Sequence, residues 1–288
     1  MAISRLAFTP VALAFVGWTL FTQRHALASA LNGIHAGILG TLVLAWTVLH
    51  FLSPLAAYFC LRRLQGAPTY TDLLRLHLTR LPARYLPGGI WHTVARVAEL
   101  DRRGLPRSGL AWMVALENLV PLATAVALGA ACLWASGALA NAPGLALLLA
   151  GVGALVLIPV VLRRLVPGDH PLPVVAYLPM VAASLLFWIT AAAAFVAYLA
   201  SMPGLALQVG PLEAAGAYLL AWAAGFLAVF APQGVGVFES TAAYLLHGGE
   251  TFALMLSVAA GFRIVVLGAD ILGFLLGLAM RGRGRSPH

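Results

Sequence analysis

Runs of about 20 mostly apolar residues constrain this chain more than anything else in it. A run of that length crosses the roughly 30 Å hydrocarbon layer as a helix, the one open-chain structure that satisfies its own backbone amides there. Six such runs stand out: Leu6 to Gln23, Ala36 to Cys60, Gly109 to Ser136, Pro143 to Leu162, Val174 to Ala200 and Phe252 to Met280. A seventh, Pro211 to Phe230, can be read either as a full crossing or as a dip into the bilayer. Of 288 residues, 62% are hydrophobic and 9% charged, against about 25% charged in a soluble domain. The expectation is an all-α polytopic membrane protein with no sizeable soluble domain.

The formal charge of +8 comes from 17 basic residues, all arginine. Their placement argues against nucleic acid as a partner. Arg62 and Arg63, the set from Arg75 to Arg107, Arg163 and Arg164, and the tail Arg281, Arg283 and Arg285 all border apolar runs, the pattern of cytoplasmic loops. Cys60 and Cys132, near the ends of the second and third runs, are expected on opposite membrane faces, which disfavours a disulfide. Arg5, the first apolar run and Ala26-Leu27-Ala28-Ser29-Ala30 imitate a cleavable secretory signal. A retained first span is the alternative, and an internal repeat favours it.

That repeat shows in two segments of the same unusual grammar, Tyr85-Leu86-Pro87-Gly88-Gly89-Ile90-Trp91 and Phe230-Ala231-Pro232-Gln233-Gly234-Val235-Gly236, whose prolines are offset by 232 − 87 = 145 residues, half the chain. The same offset maps the first run onto the fourth, the second onto the fifth and the third onto the sixth. Residues 1–142 and 143–288 are therefore expected to be two membrane repeats, each with about three spanning helices and a Pro/Gly-broken re-entrant segment, near 70–104 and 211–250. The first of these segments carries Arg75, Arg80, Arg84, Arg96 and Glu99 between Asp72 and Asp101, with Pro82 and Pro87 breaking it, too polar for one lipid-facing span. With three crossings in each half, the second half is inverted, and with the N-terminus inside, every arginine cluster falls on the cytoplasmic side. Inverted repeats with broken helices around a midplane site are a common plan of secondary transporters.

Two kinds of residue carry chemistry in this pattern. Pro87-Gly88-Gly89 and Pro232 with Gly234 and Gly236 can each end one half-helix and start another, the first resuming at about Ile90 to Leu100. The amide-bearing starts of two such half-helices suit an anion; plain tight hairpins are the simpler reading. Intramembrane charge is the second signal, because each charge at the centre of a span costs about 2.5 to 3.5 kcal/mol on insertion scales. Glu117, Arg263 and Asp270 meet that condition, and the offset sets Arg263 opposite Asn118, beside Glu117. We expect Glu117 to face Arg84 or Arg96 and Arg263 to face Glu239, as charge-reversed pairs around one cavity or as buried structural salt bridges. Asp270, seven residues beyond Arg263 on the same helical face, suits a second cavity-lining group, a proton carrier, or a structural partner for a neighbouring helix. Arg75, Arg80 and Arg84 read most simply as headgroup contacts at the cytoplasmic surface. The histidines show no metal-ligand spacing, and no Walker loop, Rossmann fingerprint or nucleophile triad is legible, so no metal or cofactor is assigned.

On Arg84-Tyr85-Leu86-Pro87-Gly88-Gly89-Ile90-Trp91 and Ala231-Pro232-Gln233-Gly234-Val235-Gly236-Val237-Phe238-Glu239, the chain resembles the lysylphosphatidylglycerol synthase transmembrane-region family. That family includes the flippase portion of bacterial multiple peptide resistance factors and stand-alone proteins. The resemblance covers essentially the whole chain. Its most specific part is the run Pro232 to Glu239 followed by Arg263 in the last span, and the family's first hairpin motif matches Tyr85, Pro87, Gly88 and Trp91. Gln233 stands where glycine is usual, and Asn118 follows Glu117 where the family often has arginine. The resemblance implies movement of a polar-headed lipid across the bacterial inner membrane, and the placement of the arginines leads us to expect both termini on the cytoplasmic side. Without the aminoacyltransferase domain of the bifunctional members, aminoacyl-lipid synthesis is not expected.

The leading expectation is thus a secondary, non-ATP lipid translocase. A phosphate-bearing headgroup would meet Arg84, Arg96 and Arg263, with Glu117 and Glu239 holding those arginines in its absence. An intramembrane enzyme acting on a lipid phosphate or lipid-linked sugar, and a non-catalytic partner of a glycosyltransferase or lipid synthase, are the alternatives. Expected partners are anionic membrane lipids, with a homo-oligomer or a lipid-synthesis enzyme as further candidates.

Overall fold

The computed structural model describes residues 21, 24, 36–85, 91–166, 174–202, 205, 208–229, 231–246 and 251–282, and every regular element among them is helical. In chain order these are α1 (Ala36–Leu52), α2 (Leu55–Leu61), α3 (Tyr70–Thr79), a first 3-10 turn (Leu81–Tyr85), α4 (Trp91–Arg102), α5 (Arg107–Ala135), α6 (Asn141–Leu165), α7 (Val174–Ala200), α8 (Pro211–Leu227), a second 3-10 turn (Pro232–Gly234), α9 (Val237–Leu246) and α10 (Phe252–Gly282).

Five helical stretches are long and apolar enough to cross a membrane: Ala36–Leu61, Arg107–Ala135, Asn141–Leu165, Ala176–Ala200 and Phe252–Met280. They coincide with five of the six apolar runs. The run Leu6 to Gln23 lies outside the described residues except for Phe21, as does the signal-like stretch Ala26 to Ala30. The ambiguous seventh run forms α8, whose 17 residues extend about 26 Å, short of the hydrocarbon thickness. Helices α3 and α4, with 10 and 12 residues, are shorter still.

Local chemistry explains the breaks. Pro54 has no amide to offer the carbonyl of His50, so the first stretch divides into α1 and α2 there. The Tyr70 hydroxyl donates to the Phe51 carbonyl at the same break, 2.5 Å away. Thr69 and Asp72 form a reciprocal capping box that starts α3 in an otherwise apolar setting. In α5, Pro121 similarly frees the Glu117 carbonyl, and the Pro121 carbonyl accepts from the Trp188 indole at 2.9 Å.

A shift of 145 residues carries α5 (107–135) onto 252–280 within α10, and α4 (91–102) onto 236–247, against α9 at 237–246. The order and lengths of these elements therefore recur at the offset read from the prolines.

Two large buried clusters hold most of the helices, and a small third, Leu74, Leu78 and Leu81, joins α3 to the first turn. Trp46, Phe195, Tyr218, Phe238 and Phe262 join α1, α7, α8, α9 and α10, with ring pairs such as Phe195 and Phe262 meeting edge to face at 5.0 Å. Leu61, Met113, Leu116, Ile158 and Met180 join α2, α5, α6 and α7. Lipid tails are as apolar as leucine, so close approach rather than hydrophobic exclusion drives this packing. Gly151 of α6 shows it: a Cβ there would stand 2.7 Å from the Ala127 amide nitrogen of α5. Gly277 and Gly273 of α10 likewise admit Leu78 of α3 and His50 of α1, where added Cβ atoms would stand 2.7 and 2.9 Å away.

Candidate functional site

The short helices bring their charges against the long ones. From α4, Arg96 reaches Glu117 of α5 as a two-pronged pair, with Nη1 to Oε1 at 3.1 Å. Both side chains are about nine-tenths buried, at 11% and 10% exposure. From α9, the fully buried Glu239 pairs with Arg263 of α10. Helices α4 and α5 thus carry base and acid where their counterparts α9 and α10 carry acid and base. Of the two partners foreseen for Glu117, Arg96 takes it. Arg84 turns instead to Asp270, with Nη1 3.3 Å from both carboxylate oxygens.

Asp270 is more heavily engaged than its spacing from Arg263 suggested. The Tyr85 hydroxyl donates to Oδ2 at 2.7 Å, and His50 Nε2 lies 3.1 Å from Oδ1. Behind His50 stands His77, with its Nε2 3.4 Å from His50 Nδ1. Burial, and then the Asp270 carboxylate, push the half-buried Tyr85 phenol above its ordinary range, so it remains a donor.

Between the two apolar clusters lies a cavity of about 960 Å³. Its polar wall holds Arg80, Arg84, Arg96, Arg263, Glu117 and Asn118, and its apolar wall includes Phe187, Trp188 and Trp222. Val94, Phe226 and Val229 also line it while being 45%, 38% and 74% exposed, so they mark an apolar rim. Four lining arginines face three carboxylates, Glu117, Glu239 and Asp270, and 4 − 3 leaves one cation in excess. That cation is Arg80, which makes no carboxylate pair among the described residues and whose buried Nε has no hydrogen-bond partner there.

Two sequence expectations are corrected. Of the roles open to Asp270, that of a cavity-lining group does not hold: it is 4% exposed and stands behind Arg84, since a carboxylate shared by Arg84, Tyr85 and His50 is drawn away from open space, and it serves as a partner to neighbouring elements. Glu239 and Gly236 also do not line the cavity. The amide end of α9, expected as half of an anion cradle, is occupied by the chain itself: the Glu239 carboxylate accepts from the Gly236 amide at 2.7 Å. Asn118 lines the cavity and donates to the Val114 carbonyl at 2.6 Å. Pro232 and Gly234 form the second turn, where Gly234 lines the cavity. Pro87, Gly88 and Gly89 lie outside the described residues, and Trp91 is described only as the first residue of α4.

Arg80, His50, His77 and Gln233 are the participants that spacing missed. Arg80 is expected with Arg75 and Arg84 as a headgroup contact at the cytoplasmic surface, yet it lines the cavity. Arg75, one turn earlier, does stay at the periphery, 3.6 Å from Asp72. His50 sits inside an apolar run, a signal that identifies a buried polar group without identifying its partners. The described residues hold no group of three metal-ligating side chains, and both cysteines are free.

The fold and cavity together describe a chain with five membrane-length helices, four of which line an arginine-rich chamber with an apolar rim. The chain matches no protein-family model and no curated protein sequence.

Proposed function

We propose that this chain is a secondary lipid translocase that passes a phosphate-bearing headgroup through the arginine-rich cavity while the acyl chains stay in the bilayer. The excess of one cation in the cavity, beside an apolar rim, carries this reading. A monoanionic phosphodiester balances that excess, and Arg80, free of a carboxylate among the described residues, is the first group it would meet. Arginine suits the task because its planar fork binds two phosphate oxygens at once. Arg84, Arg96 and Arg263 would exchange their carboxylates for phosphate in part, so the headgroup need not cross as an unpaired ion. Phe226, Val229 and Val94 at the rim would meet the glycerol and upper acyl region. The resemblance to the lysylphosphatidylglycerol synthase transmembrane region supports the same reading.

The matching boundaries of α4 and α5 with α9 and α10 support two inverted halves, with α3–α4 and α8–α9 as re-entrant pairs. The placement of the arginine clusters supports cytoplasmic termini in a bacterial inner membrane.

The test is purified protein in liposomes carrying a headgroup-labelled anionic phospholipid, with the outer leaflet quenched selectively. Accelerated exchange, lost in Arg80→Gln, is the expected result. No acceleration for any anionic lipid by folded protein would overturn the proposal. The His50–Asp270 contact beside the cavity favours one second reading, an intramembrane enzyme using that pair as acid and base on a lipid phosphate. It predicts a chemically altered lipid by mass spectrometry, where translocation leaves the lipid intact.

A further inference from the structure

We infer that His77, His50 and Asp270 form a proton-binding site linked through Arg84 to the anion site, so that one proton and one anion occupy the chamber together. The inference rests on the translocase reading for the identity of the anion, and on geometry for the link.

Asp270 is one carboxylate with two cationic claimants, Arg84 at 3.3 Å and His50 at 3.1 Å. With the chamber empty, Arg84 satisfies it. When an anion draws Arg84 toward the chamber, Asp270, only 4% exposed, loses its counter-ion. A proton taken from water through the histidine pair then restores the balance, along a chain in which His77 Nε2 stands 3.4 Å from His50 Nδ1 and His50 Nε2 stands 3.1 Å from Oδ1. The reverse holds by linkage: protonation gives Asp270 a second partner, frees Arg84 and strengthens anion binding by the same factor.

The charged and titratable groups facing the pair divide into one that favours the proton and several that oppose it. The Asp270 carboxylate of α10 favours the proton. Arg84 of the first turn, with Arg96 and His92 of α4, opposes it, and the Tyr85 hydroxyl competes for Asp270 as a neutral donor. Burial, then His50, Arg96, Arg84 and His92, hold His77 well below the usual imidazole range in the empty chamber. A bound anion cancels the contribution of the two arginines. Access runs through the chamber itself, which both histidines line.

The experiment titrates purified protein in detergent with dihexanoylphosphatidylglycerol and, in a parallel arm, with inorganic phosphate. Calorimetry in two buffers of different ionisation enthalpy counts the protons. The expected result is net uptake of up to one proton per lipid bound, with affinity rising by up to about tenfold for each unit of pH lowered below neutrality. In His50→Gln and His77→Gln, lipid still binds but uptake is lost and affinity no longer follows pH. His77→Gln serves alone if His50→Gln fails to fold. Binding without proton uptake in the wild type, or uptake unchanged in the folded variants, overturns the proton site and leaves the translocase reading standing. Binding of neither probe overturns both. Uptake with inorganic phosphate alone keeps the proton link and overturns lipid as the source of the anion.

Discussion

The Gln233 side chain donates its amide to the Arg84 carbonyl at 2.8 Å, tying together two turns that lie 149 residues apart. The Gln233 carbonyl in turn accepts from Arg263 Nη1 at 3.1 Å, so one residue links two of the cavity arginines. It does so in a left-handed backbone conformation, φ 54°, a region that glycine adopts without steric cost. Holding a side chain in that region costs roughly 1 to 3 kcal/mol, while a hydrogen bond returns about 0.5 to 1.5. Gln233→Gly should change stability by less than about 1 kcal/mol yet loosen Arg84, whereas Gln233→Ala, which keeps the strain and loses the bond, should be about 1 kcal/mol less stable. Thermal unfolding in detergent, compared with anion affinity, separates the two effects.

Glu239 both neutralises Arg263 and caps α9 through the Gly236 amide. Glu239→Ala strands a charge and should cost roughly 3 to 5 kcal/mol. Glu239→Gln, which keeps an acceptor, should cost clearly less. The exchange Glu239→Arg with Arg263→Glu should recover little of the loss, because arginine cannot accept from Gly236. Recovery of wild-type stability in the exchanged protein would show that the cap contributes nothing.

Gly225 and Gly234 touch across α8 and the second turn, and their substitutions should differ sharply. A Cβ on Gly234 would lie 2.7 Å from Gly225 Cα at φ 64°. A Cβ on Gly225 meets its nearest neighbour at 3.4 Å. Gly234→Ala should lose roughly 2 to 5 kcal/mol from strain and overpacking together, and Gly225→Ala less than about 1. Expression yield and melting temperature read the contrast directly.

Arg80 and Arg96 should separate binding from folding. Arg96→Gln leaves Glu117 buried without its cation and should destabilise by roughly 3 to 5 kcal/mol. Arg80→Gln abandons no carboxylate among the described residues, so its melting temperature should stay close to wild type. Its affinity for an anionic headgroup should fall about tenfold to a hundredfold, the value of a charge-assisted contact.

His77 sets a pH dependence. Its folded-state pKa lies well below the unfolded value near 6.5, so the unfolded chain binds the proton more readily. The stability contribution is therefore fully present above about pH 6.5 and is lost as pH falls from there toward the folded value. Without ligand, the melting temperature should drop between pH 7.5 and 5.5, and His77→Gln should flatten that slope. A slope unchanged by the substitution would place the titration elsewhere.

The membrane class, the positions of five spans, the pairing of Arg263 with Glu239 and the restriction of Glu117 to Arg84 or Arg96 are legible in the sequence. Apolar run length is set by bilayer thickness, and a charge within a span must find a partner. Those are local and pairwise constraints that a linear pattern records. Tertiary structure alone decided that Arg84 goes to Asp270 rather than Glu117, that Asp270 withdraws from the wall, and that Arg80 turns into the chamber. Each outcome depends on α3 and the first turn lying against α10 over Gly273 and Gly277. That approach is set by the space two missing side chains leave, and helical spacing within either segment carries no trace of it.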